Sequence, residues 1–355
     1  MQSHDKIDLS IILPIYNVEQ YLAECLESIC LAVADIEYKE IICVNDGSTD
    51  NSLSIINAYQ KKYDFIVLID KENAGYGAAI NSGLKASNAK YITIVESDDK
   101  IHTGAYSRLL KTLNNTPEAD FIKTPYMIWV DGKIKRTVEM QDAPKDIFSV
   151  NDYPSALMFT PSIWSAVYRK SFLEKNKIDM IETPGASYQD AYFSALCFLL
   201  GGKMLYDNEA YYLYRNDRME ASRHNKNNTL EVVVIFDWLA KVLKSRDAFS
   251  GTNKALFFSV FFKRIIWFFS TVGDDKQILV FNTTRDRFKS VLNNQDKFTQ
   301  VLQPLGKSEK KMLYALKEND FTEFKYRQQL FASATFFKKL IIKSKKKARL
   351  KGKTK

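Results

Sequence analysis

SIILPIYN, residues 10–17, is an apolar run that breaks on proline and ends in a polar pair. Two later segments repeat the form: VNDGSTDNS at 44–52 and VESDD at 95–99. Helix-patterned sequence follows each one. Apolar runs that close on a polar cluster and feed a helix are the pattern of parallel strands whose carboxyl ends line one crevice. Working outward, strands are expected at 9–13, 38–45, 65–69 and 91–95, with helices at 18–33, 50–62 and 76–87. That alternation predicts a mostly parallel sheet covered on both faces.

Beyond residue 99 the pattern loosens. A hairpin is expected at 127–138, turning on Asp131-Gly132. A strand is expected at 162–169, a helix at 188–200 ending on Gly201-Gly202, and short closing strands at 203–206 and 210–215. From about residue 228 the chain is helical, aromatic and lysine-rich, which places a boundary near 226. The expected division is 1–225 as an α/β domain (nucleotide part about 1–100, acceptor part about 101–225), 226–330 as a helical region and 331–355 as a basic tail. The apolar stretch 255–272 carries Lys263 and Arg264 at its centre, a costly arrangement in a bilayer, so it reads as a buried or partner-facing helix before one lying in a membrane surface. Its stripe of Phe257, Phe258, Phe261, Phe262 and Trp267 reads as core before interface.

Charge is concentrated at one end. Residues 338–355 hold ten Lys or Arg and no acid, and the rest of the chain carries −1 of the net +9. With Phe336, Phe337, Leu340, Ile341 and Ile342 beside the lysines, the tail suits an interfacial helix on an anionic membrane. Nucleic acid is the second choice for it, and a merely solvated terminus explains it too. Four cysteines without CxxC spacing, and only three histidines, argue against a disulfide framework or a zinc site and for a cytoplasmic protein with reduced thiols.

The crevice would hold carboxylates instead of a glycine-rich phosphate cradle. Glu96, Asp98 and Asp99 stand at one strand end, where like charges repel unless a cation compensates. A divalent ion held by one or two carboxylates, with diphosphate and water completing the shell, satisfies that arrangement. Asn73-Ala74-Gly75-Tyr76-Gly77 fails as a dinucleotide fingerprint, because Ile80 holds the third glycine position.

Together the three segments resemble the family 2 glycosyltransferases, of GT-A fold, across residues 7–220. The resemblance implies an enzyme that moves one sugar from a nucleotide sugar, a UDP-sugar first, with inversion and with Mn²⁺ or Mg²⁺. It implies a base pocket walled by Pro14, Tyr16 and Asn17, with Asp46 accepting a hydrogen bond from the base. It places Asn73 and Gly75 in a turn beside the nucleotide, Asn81 on the helix that follows, and Ser97 within the acidic element. Glu96 stands where the family usually has Asp, facing the ribose; Asp98 and Asp99 match as metal and diphosphate ligands. Asp190 matches the general base, and Gln189 replaces the acid that usually precedes it. Trp164 borders the acceptor side or is core. Arg215, Arg218, Arg223 and His224 fold over the diphosphate or are solvated. The acceptor implied is a glycan or lipid-linked species in bacterial surface polysaccharide synthesis, at the inner face of the membrane. A sugar-1-phosphate nucleotidyltransferase would need a glycine- and arginine-rich loop where Pro14–Asn17 stands, and a non-catalytic binding protein tethered by its tail has only the lysines in its favour.

Overall fold

The computed structural model describes residues 7–183, 188–217 and 231–333. Two compact units emerge: Met1–Asn225 with Trp238–Ala248, and Lys226–Asp237 with Phe249–Lys355. The boundary expected near 226 is therefore interleaved, because part of one helix returns to the first unit.

In chain order the first unit begins β1 (Leu9–Ile15), α1 (Glu19–Ala32), β2 (Lys39–Asp46), α2 (Ser52–Lys62), β3 (Ile66–Lys71), α3 (Tyr76–Ala86) and β4 (Tyr91–Ile94). It continues β5 (Lys100–Ile101), α4 (Ala105–Asn115), β6 (Phe121–Lys123), β7 (Tyr126–Val130), β8 (Lys133–Val138) and β9 (Ala166–Arg169). Then follow α5 (Lys170–Lys175), α6 (Gln189–Leu199), β10 (Met204–Tyr206) and β11 (Tyr212–Arg215). The main sheet has the order β10-β6-β9-β4-β1-β2-β3, parallel except where β9 runs against β4 and β6. Every residue of β1 is buried, as a central strand covered on both faces requires. A smaller sheet, β5-β11-β7-β8, stands beside it. Its β7–β8 hairpin turns on Asp131 (φ 49°) and Gly132 (φ 69°), the pair of positive φ angles that a type I′ turn needs.

Pro14 lies inside β1 and does not end it. Ile12 accepts a bond from Val95 on the β4 side, so Pro14, of the same parity, aims its nitrogen that way too. The β4 pairing has already stopped at Ile94, and the missing N–H costs the ladder nothing. Residues 162–165 are likewise not strand: Ile163–Ser165 forms a 3₁₀ turn before β9.

The first helices cap one another. Asp50 accepts from the Glu19 amide at 2.9 Å, and Glu19 accepts from the Asn51 amide at 2.9 Å. Asp50 thus serves α1 as well as its own helix, where it accepts from Ser52 N. Each carboxylate sits at a positive helix end.

The second unit comprises the first part of α7 (Glu231–Ser245), then α8 (Gly251–Phe269), α9 (Asp274–Leu292), α10 (Gln295–Leu302), α11 (Lys307–Lys317) and helical residues through 321–333. Its core is aromatic: Phe236 stacks on Phe261 at 4.6 Å, and Phe288 meets Phe258, Phe261 and Phe262. Trp267, grouped with those phenylalanines in the sequence, is instead exposed. Among the described residues no helix is long and apolar enough to cross a membrane. All four cysteines are free and buried.

Candidate active site

The carboxyl ends of β1, β2 and β4 deliver the three signature segments to one side of the main sheet. At the first, Asn17 adopts φ 50° and accepts from the Thr49 amide at 2.8 Å, tying the β1 end to the loop after β2. Beside it Tyr16 is 49% exposed, an open aromatic face at the crevice.

Asp46 ends β2 almost fully buried and surrounded by donors. The Ala74 amide donates to Oδ1 at 3.0 Å, the Gly75 amide to Oδ2 at 2.8 Å and Lys71 Nζ to Oδ1 at 2.6 Å. Asn73 donates to the Asp46 carbonyl at 3.0 Å. The 71–75 turn is therefore wrapped round this carboxylate, and Gly75 (φ 93°) lets it enter α3. Lys71 is a site residue that sequence reasoning missed. Its signal was only its place at the end of β3, in register with Asp46.

After β4, Glu96 and Asp98 are half-buried, while Ser97 and Asp99 are buried. Tyr76 donates its hydroxyl to Glu96 at 2.5 Å. Burial first, then the charges of Glu96 and Asp190, push the Tyr76 hydroxyl well above the usual tyrosine range. The α6 carboxylate and the acidic loop thus act on one phenol. Asp99 differs from its neighbours. Only 1% exposed, it accepts from Tyr212 at 2.7 Å on one oxygen and from the Arg215 amide at 2.7 Å on the other. Burial, and then Asp98, raise it well above the ordinary carboxylate range. Both its oxygens are engaged within the fold, which makes Asp99 an anchor of the loop.

Among the described residues no cluster of three or more His, Cys, Asp or Glu could hold a metal by itself. Asp98 remains as a half-buried carboxylate beside the crevice. One protein carboxylate, with phosphate oxygens and water for the rest, is the donor set that Mg²⁺ or Mn²⁺ takes alongside a nucleotide. The residues present fit such an ion.

Asp190 lies in the first turn of α6 and accepts from the Ala191 amide at 2.7 Å. Gln189 is buried beneath it and donates to Thr183 Oγ1 at 2.8 Å, so it fixes the segment before the helix. Asn81 holds the same segment, giving to the Met180 carbonyl at 2.9 Å and taking from its amide at 2.8 Å. It braces that segment against α3.

Trp164 is buried, stacked on Tyr212 at 4.3 Å and on Tyr214 at 5.2 Å. Of its two readings, core is the one observed. Arg215 does not fold over the crevice from outside: it turns inward, with Nε on the Asp98 carbonyl at 2.7 Å. Arg218, Arg223 and His224, and the lysine tail, lie outside the described residues. A second residue that the sequence did not reveal is Lys123. It ends β6 at 4% exposure, with its ammonium on the Ser162 carbonyl (2.5 Å), Ser162 Oγ (3.0 Å) and Ser165 Oγ (3.3 Å). Burial lowers it to about 7, against smaller opposing pulls from Cys197 and then Asp190.

Residues 10–176 match glycosyl transferase family 2. The chain carries a glycosyltransferase family 2 domain. It is 31% identical over 233 residues to glycosyltransferase GlyA of Streptococcus pneumoniae, covering 62% of this chain and 32% of that protein. It is 34% identical over 218 residues to the poly(ribitol-phosphate) beta-glucosyltransferase of Bacillus spizizenii, covering 59% and 32%. The matched stretch therefore spans about a third of each of these relatives. Among solved structures, residues 1–349 of S. aureus TarS, in complex with UDP-GlcNAc, superpose with a TM-score of 0.73 at 18% identity, covering 92% of each chain. That likeness gives the family 2 domain its GT-A fold, with C-terminal helices after it.

Proposed function

We propose that this chain is an inverting glycosyltransferase that moves single sugars from a nucleotide sugar, a UDP-sugar first, to an acceptor hydroxyl. What supports the proposal is the Tyr76 hydroxyl, bonded to Glu96 at 2.5 Å and raised also by the charge of Asp190, the carboxylate we take as the general base. Asp46 and Lys71 would meet the base of the nucleotide, with Tyr16 as a stacking face and Pro14, Asn17, Asn73 and Gly75 shaping the pocket. Glu96 would face the ribose, beside Ser97.

Asp190 would take the proton of the acceptor hydroxyl as its oxygen bonds to the anomeric carbon. On the opposite face the bond to the diphosphate oxygen breaks, and one displacement inverts the centre. A divalent ion on Asp98, Mn²⁺ or Mg²⁺, would neutralise charge on the departing diphosphate. The B. spizizenii relative is named for a poly(ribitol-phosphate), which supports a polymer acceptor; the acceptor we propose here is a glycan or lipid-linked species. TarS with UDP-GlcNAc makes uridine donors the first to try.

Calorimetry with UDP, GDP, CDP and dTDP sugars, with and without Mn²⁺, tests this. One sugar nucleotide should bind in a metal-dependent way, and Asp98→Ala should abolish that dependence. Asp190→Asn should keep donor binding and lose about 10²–10⁴-fold in turnover. Undiminished transfer by Asp190→Asn would remove it as the base, and no binding by any sugar nucleotide would leave a binding protein on a transferase fold. For the tail we propose peripheral attachment to an anionic leaflet. Removing residues 338–355 should release the protein from phosphatidylserine vesicles, and retention would refute the attachment.

A further inference from the structure

The acidic loop is fastened by a strand that lies more than a hundred residues away in sequence. Its own turn contributes one bond, from the Asp99 amide to the Glu96 carbonyl at 3.1 Å. β11 supplies four more. The Tyr212 hydroxyl accepts from the Glu96 amide at 3.0 Å and donates to Asp99 at 2.7 Å, so one oxygen joins both ends of the loop. Three residues on, Arg215 gives its amide to the other Asp99 oxygen and its Nε to the Asp98 carbonyl, each at 2.7 Å.

The guanidinium that makes the last bond is itself immobilised. A terminal nitrogen donates to Glu24 at 2.6 Å, while the guanidinium carbon lies 4.2 Å from the Trp129 ring centre and 4.8 Å from that of Tyr21. Lys100 shares Glu24 at 2.8 Å and approaches the same Trp129 ring at 5.1 Å. Arg215 and Lys100 therefore place positive charge behind a loop bearing three carboxylates in four residues, offsetting the repulsion that would otherwise spread it. The backbone on both sides of Asp98 is fixed by the protein alone.

We propose that Arg215, together with the Tyr212 hydroxyl, is a positioning residue that sets the divalent-metal affinity of the acidic loop by fixing the backbone of Asp98. The proposal rests on the assignment of Asp98 to the metal made above. Arg215 acts through Asp98 and Asp99 and not as a diphosphate clamp. A lysine cannot replace it, because a single ammonium lacks the planar fork that reaches the Asp98 carbonyl and Glu24 together.

The test is calorimetric titration of Mn²⁺ into the full chain saturated with UDP, for wild type, Arg215→Lys, Tyr212→Phe and Asp98→Ala. UDP affinity without metal and the melting temperature are measured in parallel. Arg215→Lys should weaken Mn²⁺ binding by about 10- to 100-fold, the range for residues that orient a ligand. Its metal-free UDP affinity should hold, since the Asp46 pocket is untouched. Tyr212→Phe removes one oxygen, keeps the stack on Trp164, and should weaken Mn²⁺ in the same sense even if Arg215→Lys folds poorly. Wild-type Mn²⁺ affinity in these variants overturns the proposal, as does an equal loss of metal-free UDP binding. If Asp98→Ala binds Mn²⁺ as wild type does, the metal assignment itself falls.

Discussion

Lys123 shows how a single side chain couples the fold to pH. Below about 7 its amine is charged in folded and unfolded chains alike, and the fold bears the full cost of burying it. Between about 7 and the ordinary lysine value of 10.5 the unfolded chain binds more protons than the folded one, so this group makes the fold more stable as pH rises. Urea midpoints of wild type and Lys123→Met should therefore diverge in favour of wild type between pH 7 and pH 9.5. A constant difference would mean that the amine titrates like any exposed lysine. Residues of this kind were not legible in the sequence: DFIKT gives no sign that its lysine ends a buried strand. Asp46, Asp98 and Asp190 could be proposed from the sequence because each sits in a local segment with its own pattern. Their partners Lys71, Tyr212 and Arg215 could not, since the pairing is made only by tertiary structure.

At the scale of elements, the strands and helices before residue 99 could be read from apolar periodicity, and the β7–β8 hairpin from its Asp-Gly turn. α4 and β6 were missed, because β6 is only three residues long and α4 starts on Gly104 without a polar capping side chain. The register of α3 depends on a close approach that no sequence pattern announces. At Gly77 any side chain would run into the Ile181 carbonyl, on the segment that Asn81 holds at Met180. Gly77→Ala should cost about 2 kcal/mol by forcing helix and segment apart. Its denaturation midpoint checks this, and an unchanged midpoint would mean that the segment yields freely. Activity should fall with it, because the same segment reaches Gln189 through Thr183.

Across the whole molecule, the helical region was legible as a change of composition, but the exchange of segments between units was not. Trp238–Ala248 returns to the first unit, where Arg246 donates to the Lys177 carbonyl at 2.8 Å and to that of Asn176. A fragment ending at residue 225 lacks that strut. Ending it at residue 248 should raise its melting temperature, and equal values would make the returning segment dispensable. The sulfurs carry a different consequence. All four are enclosed, and burial lifts each thiol above the ordinary cysteine range. Maleimide dyes should leave the native chain unlabelled, so a cysteine introduced on the outer face of α4, at Lys111, would give a fluorophore one address without emptying the core of sulfur.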